Sequence, residues 1–128
     1  MSKKSHFEIC VQTHFSAAHH LRGYPGDCAT PHGHNWIVDV YIECDKLNEL
    51  GIGIDFRDVK SVVKEIIGEL DHGDLNLLPY FKDQNPSSEN VAQHIYRKLT
   101  TEINTAGLRV TKVCVRETDS CGASYWED

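Results

Sequence analysis

The sequence lacks the features that mark several large classes of protein. No window of its 128 residues approaches the apolar length that a membrane span needs. The basic start at Lys3 and Lys4 is not followed by the apolar run of a secretory signal. The formal net charge is −6, so an electrostatic nucleic-acid footprint is not expected. A glycine-rich dinucleotide fingerprint is also absent. We therefore expect a cytoplasmic protein with neither a membrane nor a nucleic acid as its partner.

Cysteine is present, but not in the pattern of a disulfide framework. The five thiols are an odd number without regular spacing: Cys10, Cys28, Cys44, Cys114 and Cys121. Because no export signal is visible, reduced thiols are the expectation. Cys28 lies four residues before His32. It is therefore free to act either as a metal ligand or as a reactive group beside a metal site.

Hydrophobic periodicity predicts one α+β domain over residues 1–128. At 40% hydrophobic residues, the chain is long enough for one core and too short for two. Apolar stripes at 3.6-residue spacing follow the helix caps Asp55 and Ser87, and the first runs out near Leu70. Period-two alternation predicts two strands before the helices and two after them: Phe7–Phe15, a strand from His34, 108–117 and 123–126. The order ββααββ predicts a four-stranded, largely antiparallel sheet with both helices on one face.

Three histidines form a candidate metal site. His32 and His34 are two residues apart on a strand, so their side chains share a face. If the first two strands pair as a hairpin, His19 comes near them. Three imidazoles with one open position are typical of catalytic zinc, although surface histidines in turns are the alternative. His20 should point to the opposite face from His19, and His94 is expected on the surface of the second helix.

Two further positions could carry acid–base chemistry or substrate binding. Asp71 and His72 follow the first helix, where a carboxylate beside an imidazole raises its basicity. The alternative is an Asp-His pair that merely ends a helix. Glu117 ends the third strand and is followed by Thr118. Its carboxylate can accept two hydrogen bonds from the amidine-like edge of a guanine or pterin ring, or it can be an ordinary exposed glutamate.

Taken together, these motifs resemble the family of 6-pyruvoyltetrahydropterin synthases and their bacterial 6-carboxytetrahydropterin relatives. The resemblance covers nearly the whole chain, with the motifs in the family's order. It is carried by FSAAHHL (15–21), CATPHGHN (28–35), DF (55–56), LDHGDLN (70–76), NPSSEN (85–90) and RET (116–118). It implies the tunnelling fold, in which such subunits assemble through trimers into barrels, typically homohexamers, with active sites between subunits.

The resemblance also implies roles for individual residues. His19, His32 and His34 would hold a catalytic zinc ion, Zn2+. Cys28 would be a catalytic residue outside the ligand set, and Asp71 and His72 would complete a Cys-His-Asp set. The residues implied in substrate binding are Glu117, as the anchor of the pterin ring, and Thr118, Ser88 and Glu89, which would line its pocket.

The implied reaction is that of a lyase acting on a pterin triphosphate. Only three residues separate Cys28 from His32, which resembles the 6-carboxy branch, and the gap holds no glutamate that would suit side-chain cleavage for folate synthesis. That branch converts 7,8-dihydroneopterin triphosphate to 6-carboxy-5,6,7,8-tetrahydropterin, acetaldehyde and triphosphate, on the route to queuosine. Asp27, directly before Cys28, departs from relatives with a basic residue there. Arg22 or Lys82 could supply the basic group for the triphosphate instead.

Three alternatives remain open at the level of sequence. A 6-pyruvoyl enzyme would share the substrate and the site but differ in product. A noncatalytic zinc module would use Cys28 as the fourth ligand and would lose its fold without metal. A generic three-histidine zinc hydrolase would have no use for Asp71, His72 and Glu117 together.

Overall fold

The chain folds as a single sheet covered on one face by two helices. A computed structural model describes residues 3–128. The strands are β1 at Phe7–His19, β2 at His32–Cys44, β3 at Gly73–Asp74, β4 at Leu108–Thr118 and β5 at Cys121–Tyr125; the helices are α1 at Phe56–Gly68 and α2 at Ser88–Ile103. In this part of the chain, neither helix combines the length and the apolar character needed to cross a bilayer.

The sheet has the order β3-β1-β2-β4-β5. Its four long strands pair antiparallel, as the sequence predicts. The prediction of four strands omits β3, which pairs parallel with β1 at Ala17 and Ala18 and makes the sheet mixed. The physical reason lies just before β3, where the backbone N–H of His72 donates to the carbonyl oxygen of Ser16 at 2.6 Å. This bond draws the end of the α1 segment onto the edge of β1.

Both predicted helices and both caps are present. The Asp55 carboxylate accepts from the Arg57 amide, and the Ser87 hydroxyl accepts from the Asn90 amide. The apolar faces of the helices pack onto the sheet and form one core with the inward residues of the long strands. The expectation that His94 lies on the surface of α2 is wrong: it is only 7% exposed. Its ring packs against Tyr80 with the centroids 4.2 Å apart.

The opposite face of the sheet is polar, and one of its carboxylates is buried. Asp39 on β2 belongs to the polar face that the sequence predicts, yet it is only 4% exposed. It accepts hydrogen bonds from Gln12 at 2.8 Å and from Arg116 at 3.1 Å. Three neighbouring strands thus contribute to one ion-paired group, which fixes their register on the side away from the helices.

Candidate active site and metal centre

The hairpin of β1 and β2 brings three histidines together. His19 and His32 are direct cross-strand partners, and His34 lies two residues further along β2. The ring centroid of His19 is 4.6 Å from that of His32 and 5.2 Å from that of His34, and the latter two are 4.9 Å apart. One nitrogen atom from each ring lies within 4.8 Å of the other two. The three residues predicted as metal ligands therefore converge on one point.

Backbone carbonyl groups fix the protons on two of these rings. His19 Nδ1 lies 2.7 Å from the carbonyl oxygen of Pro86, and His32 Nδ1 lies 2.8 Å from that of Thr30. A carbonyl oxygen can only accept, so Nδ1 carries the hydrogen in each ring. Nε2 then keeps its lone pair and remains available to a metal ion.

The Nε2 atoms of the histidines have the surroundings expected of metal ligands. The Nε2 atoms of His19 and His34 are buried and have no hydrogen-bond partner in the described chain. Leaving such an atom unpaired costs about 1–3 kcal/mol, and a bound cation would remove that cost. Burial lowers the pKa of His19, against the opposing effects of the Pro86 carbonyl and of Glu117. Because the neutral ring is the form that binds metals, the residues fit a divalent ion.

The histidine cluster packs against the buried ring of Trp36. The Trp36 ring centroid is 4.8 Å from that of His19 and 5.5 Å from that of His34. Trp36 is fully buried, and its indole N–H donates to the Ala17 carbonyl oxygen at 3.2 Å. Because His19 is itself only 1% exposed, core packing limits the positions open to these rings.

Glu117 lies between the histidines and a neighbouring cavity. Its two carboxylate oxygens are 3.7 Å from His19 Nε2 and 3.6 Å from His34 Nε2, too far for hydrogen bonds. The cavity measures about 320 Å³ and is lined by Ser88, Glu89, Glu117, Cys121, Gly122 and Ala123. Three of the four predicted substrate-binding residues thus share it. The fourth, Thr118, is exposed, with its hydroxyl 3.5 Å from that of Ser120.

Cys28 stands apart from the metal cluster. It lies in a short 3₁₀ turn at Asp27–Ala29, within the connection between β1 and β2. Its side chain is half-buried, and its carbonyl oxygen accepts from the Leu21 amide at 2.7 Å. Within residues 3–128, the group able to hold an ion at this end of the hairpin comprises the three histidines without Cys28.

Asp71 and His72 form a hydrogen-bonded pair at the edge of β1. Asp71 Oδ2 is 2.9 Å from His72 Nδ1, and Asp71 Oδ1 accepts from the Ser16 amide at 2.9 Å. The Ser16 amide is the main cause that lowers the pKa of Asp71, with His72 as a further one. His72 has a φ of 60°, which is unusual for a residue other than glycine. Its side chain is 81% exposed and shares a shallow cavity with His34.

The basic residues considered for the triphosphate differ in availability. The Arg22 guanidinium is engaged by the carbonyl oxygens of Phe81 and Gln84 and by the Asn85 side chain. These bonds occupy it in holding the 81–85 segment rather than leaving it to meet a ligand. Lys82 is exposed on that segment.

Sequence reasoning missed the groups that orient the histidines. The Thr30 and Pro86 acceptors are backbone carbonyls, which every residue type supplies, so no residue pattern could have revealed them. Pro86 also lies 67 positions from His19 along the chain. The one available signal was the NPSSEN motif itself, which pointed to the segment but not to its contact.

Comparison with known proteins assigns the chain to a family. The family model described as 6-pyruvoyl tetrahydropterin synthase matches residues 8–128. A relative from Archaeoglobus fulgidus is 37% identical over 111 residues, which are 87% of this chain and 88% of that protein. The 6-carboxy-5,6,7,8-tetrahydropterin synthase of Bacillus subtilis is 32% identical over 126 residues, covering 93% of this chain and 84% of that one.

The fold agrees with these relationships. The 6-pyruvoyl tetrahydropterin synthase of Caenorhabditis elegans superposes with a TM-score of 0.86 over the whole of both chains, at 24% identity. The crystal structure of the Plasmodium vivax 6-pyruvoyl tetrahydropterin synthase gives a TM-score of 0.75 at 20% identity and covers 97% of this chain and 99% of that one. These likenesses confirm the fold that the motifs imply. With a family model that matches nearly all of its residues, the chain belongs to the 6-pyruvoyl tetrahydropterin synthase family.

Proposed function

We propose that this enzyme is a zinc-dependent lyase that converts 7,8-dihydroneopterin triphosphate to 6-carboxy-5,6,7,8-tetrahydropterin, releasing acetaldehyde and triphosphate. The observation that carries the proposal is the convergence of His19, His32 and His34 next to Glu117 and its cavity. The relatives that bear the 6-carboxy name support the choice of product. The same reaction would place the enzyme on the route to queuosine.

The ligand set favours zinc. Three neutral imidazole nitrogens with room for one further ligand are typical of catalytic zinc sites. When bound, such an ion acts as a Lewis acid towards the oxygen atoms of the substrate side chain. The residues around it then have separate tasks. Glu117 would accept hydrogen bonds from the amino and ring N–H groups of the pterin, and Ser88 and Glu89 would border the ring.

Cys28 and His72 would carry protons during the rearrangement of the side chain. The Asp71 carboxylate at 2.9 Å from His72 Nδ1 holds the imidazole ring in place for proton transfer. No hydrogen bond joins Cys28 to Asp71 or His72 within one chain, as far as the described residues extend. We propose that the Cys-His-Asp set is completed between subunits, which the 81% exposure of His72 supports.

The sheet edges support an assembly of several subunits. β3 covers β1 only at Ala17 and Ala18, so the strand from residue 7 to 16 has no partner on that side among the described residues. Unpaired edges are commonly covered by another chain. A hexamer of 14.5 kDa subunits would have a mass of about 87 kDa, which light scattering on the eluting protein would measure.

A single incubation tests the proposed reaction. Zinc-loaded protein is mixed with 7,8-dihydroneopterin triphosphate, the products are read by mass spectrometry, and acetaldehyde is assayed separately. A 6-carboxytetrahydropterin mass together with acetaldehyde is the expected result. Metal-free protein is the control for zinc dependence. A 6-pyruvoyl product without acetaldehyde would instead assign the chain to the other branch of its family.

A further inference from the structure

The orientation of His19 depends on a distant segment of the chain. Its Nδ1–H is held by the carbonyl oxygen of Pro86, which lies 67 residues further along. Pro86 is buried and precedes Ser87, the N-cap of α2. Whatever fixes the position of this carbonyl also fixes the direction in which the metal-facing Nε2 of His19 points.

Arg22 and Asn85 join that segment to the end of β1. The Arg22 amide donates to Asn85 Oδ1 at 2.9 Å, and Asn85 Nδ2 donates back to the Arg22 carbonyl oxygen at 3.1 Å. The Arg22 guanidinium bonds the carbonyl oxygen of Phe81 and, at 2.7 Å, that of Gln84. Because Arg22 lies three residues after His19, these bonds tie the two partners of the His19–Pro86 contact to each other.

A further bond ties the same segment to α2. Asn90 Nδ2 donates to the Asn85 carbonyl oxygen at 2.8 Å. Asn85 therefore contacts the turn that follows β1 through its side chain and the first turn of α2 through its backbone. The Pro86 carbonyl lies between these two attachments and has little freedom to move.

We infer that Arg22 and Asn85 are positioning residues for the metal site, acting through Pro86 on His19. Their bonds hold the Pro86 carbonyl where it keeps the proton on His19 Nδ1 and turns Nε2 towards His32 and His34. Arg22 thus serves the metal ligand rather than the triphosphate. The inference rests on the proposed function only in that the three histidines bind a metal ion.

The first test measures zinc affinity by competition with a chromophoric chelator. The proteins compared are the wild type, Arg22→Ala and Asn85→Ala. Loss of a group that hydrogen-bonds a metal ligand typically weakens binding by about 10–100-fold. Arg22 and Asn85 act one contact further out, so we expect a loss at the lower end of this range, about tenfold, for each variant. Asn85→Ala leaves the guanidinium in place, so it decides the question if Arg22→Ala does not fold. Lys82→Ala removes a positive charge from the same segment without touching these bonds, and should bind zinc as the wild type does.

The second test reports the His19 ring directly, without metal. Long-range proton–nitrogen NMR spectra of metal-free protein distinguish an imidazole protonated at Nδ1 from one protonated at Nε2. We expect one Nδ1–H form for His19 in the wild type and a mixture in Arg22→Ala and Asn85→Ala. General loosening of the fold would also change the form of His32, whose Nδ1 is held separately by the Thr30 carbonyl oxygen, so an unchanged His32 signal confines the effect to His19.

The outcomes separate the two proposals. Wild-type zinc affinity and an unchanged His19 spectrum in both variants would overturn the positioning role while leaving the metal site intact. A loss of affinity in Lys82→Ala equal to that in Arg22→Ala would also overturn it, since charge would then explain the effect. A wild type that binds no zinc would count against the proposed function, and the NMR comparison would still decide the role of Arg22 and Asn85.

Discussion

At the scale of single residues, neutral carbonyl groups orient two of the three histidines. Pro86 and Thr30 supply these acceptors, so the groups that face Nδ1 of His19 and of His32 carry no charge. Three neutral imidazoles would not offset the charge of a divalent ion, so the site would leave that charge available to substrate oxygen atoms. The nearest carboxylate is Glu117, whose oxygens lie 3.6 and 3.7 Å from the metal-facing nitrogens.

The Cys28→Ala variant should retain zinc and lose turnover. Cys28 lies in the connecting turn and outside the three-histidine cluster, so its removal leaves the ligands untouched. If the thiol carries a proton in the reaction, its loss should slow turnover by about 10²–10⁴-fold. Zinc content by mass spectrometry, measured beside the product assay, reports both effects. Cys10→Ala, an exposed thiol near the start of β1, is the matched control. A loss of zinc in Cys28→Ala alone would identify the thiol as a fourth ligand.

The Glu117→Gln variant should weaken pterin recognition and keep zinc. An amide offers one acceptor where the carboxylate offers two, so one substrate N–H group would lose its charged partner. A hydrogen bond to a charged group is worth about 1.5–3 kcal/mol, which corresponds to roughly a 10- to 150-fold fall in kcat/KM. Equilibrium binding of a pterin analogue should fall in parallel.

The control for this variant is Glu65→Gln, an equal change of charge on the exposed face of α1. It should leave kcat/KM, analogue binding and zinc content unchanged. If Glu117→Gln lost zinc but bound the analogue normally, the carboxylate would belong to the metal site rather than to the pterin pocket.

Residue identity predicted a cluster of histidines, because metal binding requires particular side chains. Histidines two apart on a strand indicated a metal cluster, and the structure brings them together with His19. His94 was missed because a helix stripe read from sequence cannot show that Tyr80 and Phe81 fold back over the side chain. The role of Arg22 was missed because a basic residue looks equally suited to a phosphate and to backbone carbonyls.

At the scale of elements, tertiary contacts determine strand ends and short strands, which hydrophobic periodicity does not define. The alternation that predicts the first strand ends at Phe15, yet β1 continues to His19 because the small residues after it pair with β2. β3 has only two residues and therefore no period to detect. The long helices and strands were predictable since their apolar faces repeat over many residues.

The burial of His94 in α2 predicts that stability depends on pH. Desolvation is the main cause that lowers the pKa of His94, reinforced by Lys98 and opposed by Glu69. The unfolded chain then binds a proton more readily than the folded one. The stability that the folded protein gains by keeping His94 neutral is complete above the unfolded pKa of about 6.5. It is lost as the pH falls from there towards the lower pKa of the folded state.

Urea unfolding of the wild type and of His94→Gln between pH 5 and pH 8 measures this effect. The variant has no imidazole at position 94 to take up a proton. Its free energy of unfolding should therefore rise relative to that of the wild type as the pH falls below about 6.5. His19, whose pKa is also lowered by burial, contributes equally to both proteins and cancels. Parallel profiles over this range would show that the ring is protonated as easily in the folded protein as in the unfolded one.

At the scale of the whole molecule, the three-histidine cluster lies at the border of the hydrophobic core, so a bound ion is not expected to hold the core together. The core lies between the sheet and the two helices and includes large residues such as Trp36, Ile95 and Leu99. The histidine cluster borders it at one end of the hairpin, where His19 and His34 pack against Trp36. The assembly that we propose could not be predicted from any periodic pattern, because sheet edges match between chains by shape and charge.

Chelation of the metal should therefore leave the fold intact and lower its thermal stability. Metal-free protein is expected to keep its far-ultraviolet circular dichroism and to unfold cooperatively. Zinc at a hundredfold excess over its Kd would add about 2.7 kcal/mol, or roughly 10 °C in Tm for a chain of this size. His34→Ala should abolish this gain while keeping the same spectrum, because the His34 side chain is partly exposed and lies outside the hydrophobic core. A chain that lost its secondary structure on chelation would instead be a zinc-stapled module, since only a structural ion supplies the free energy of folding itself.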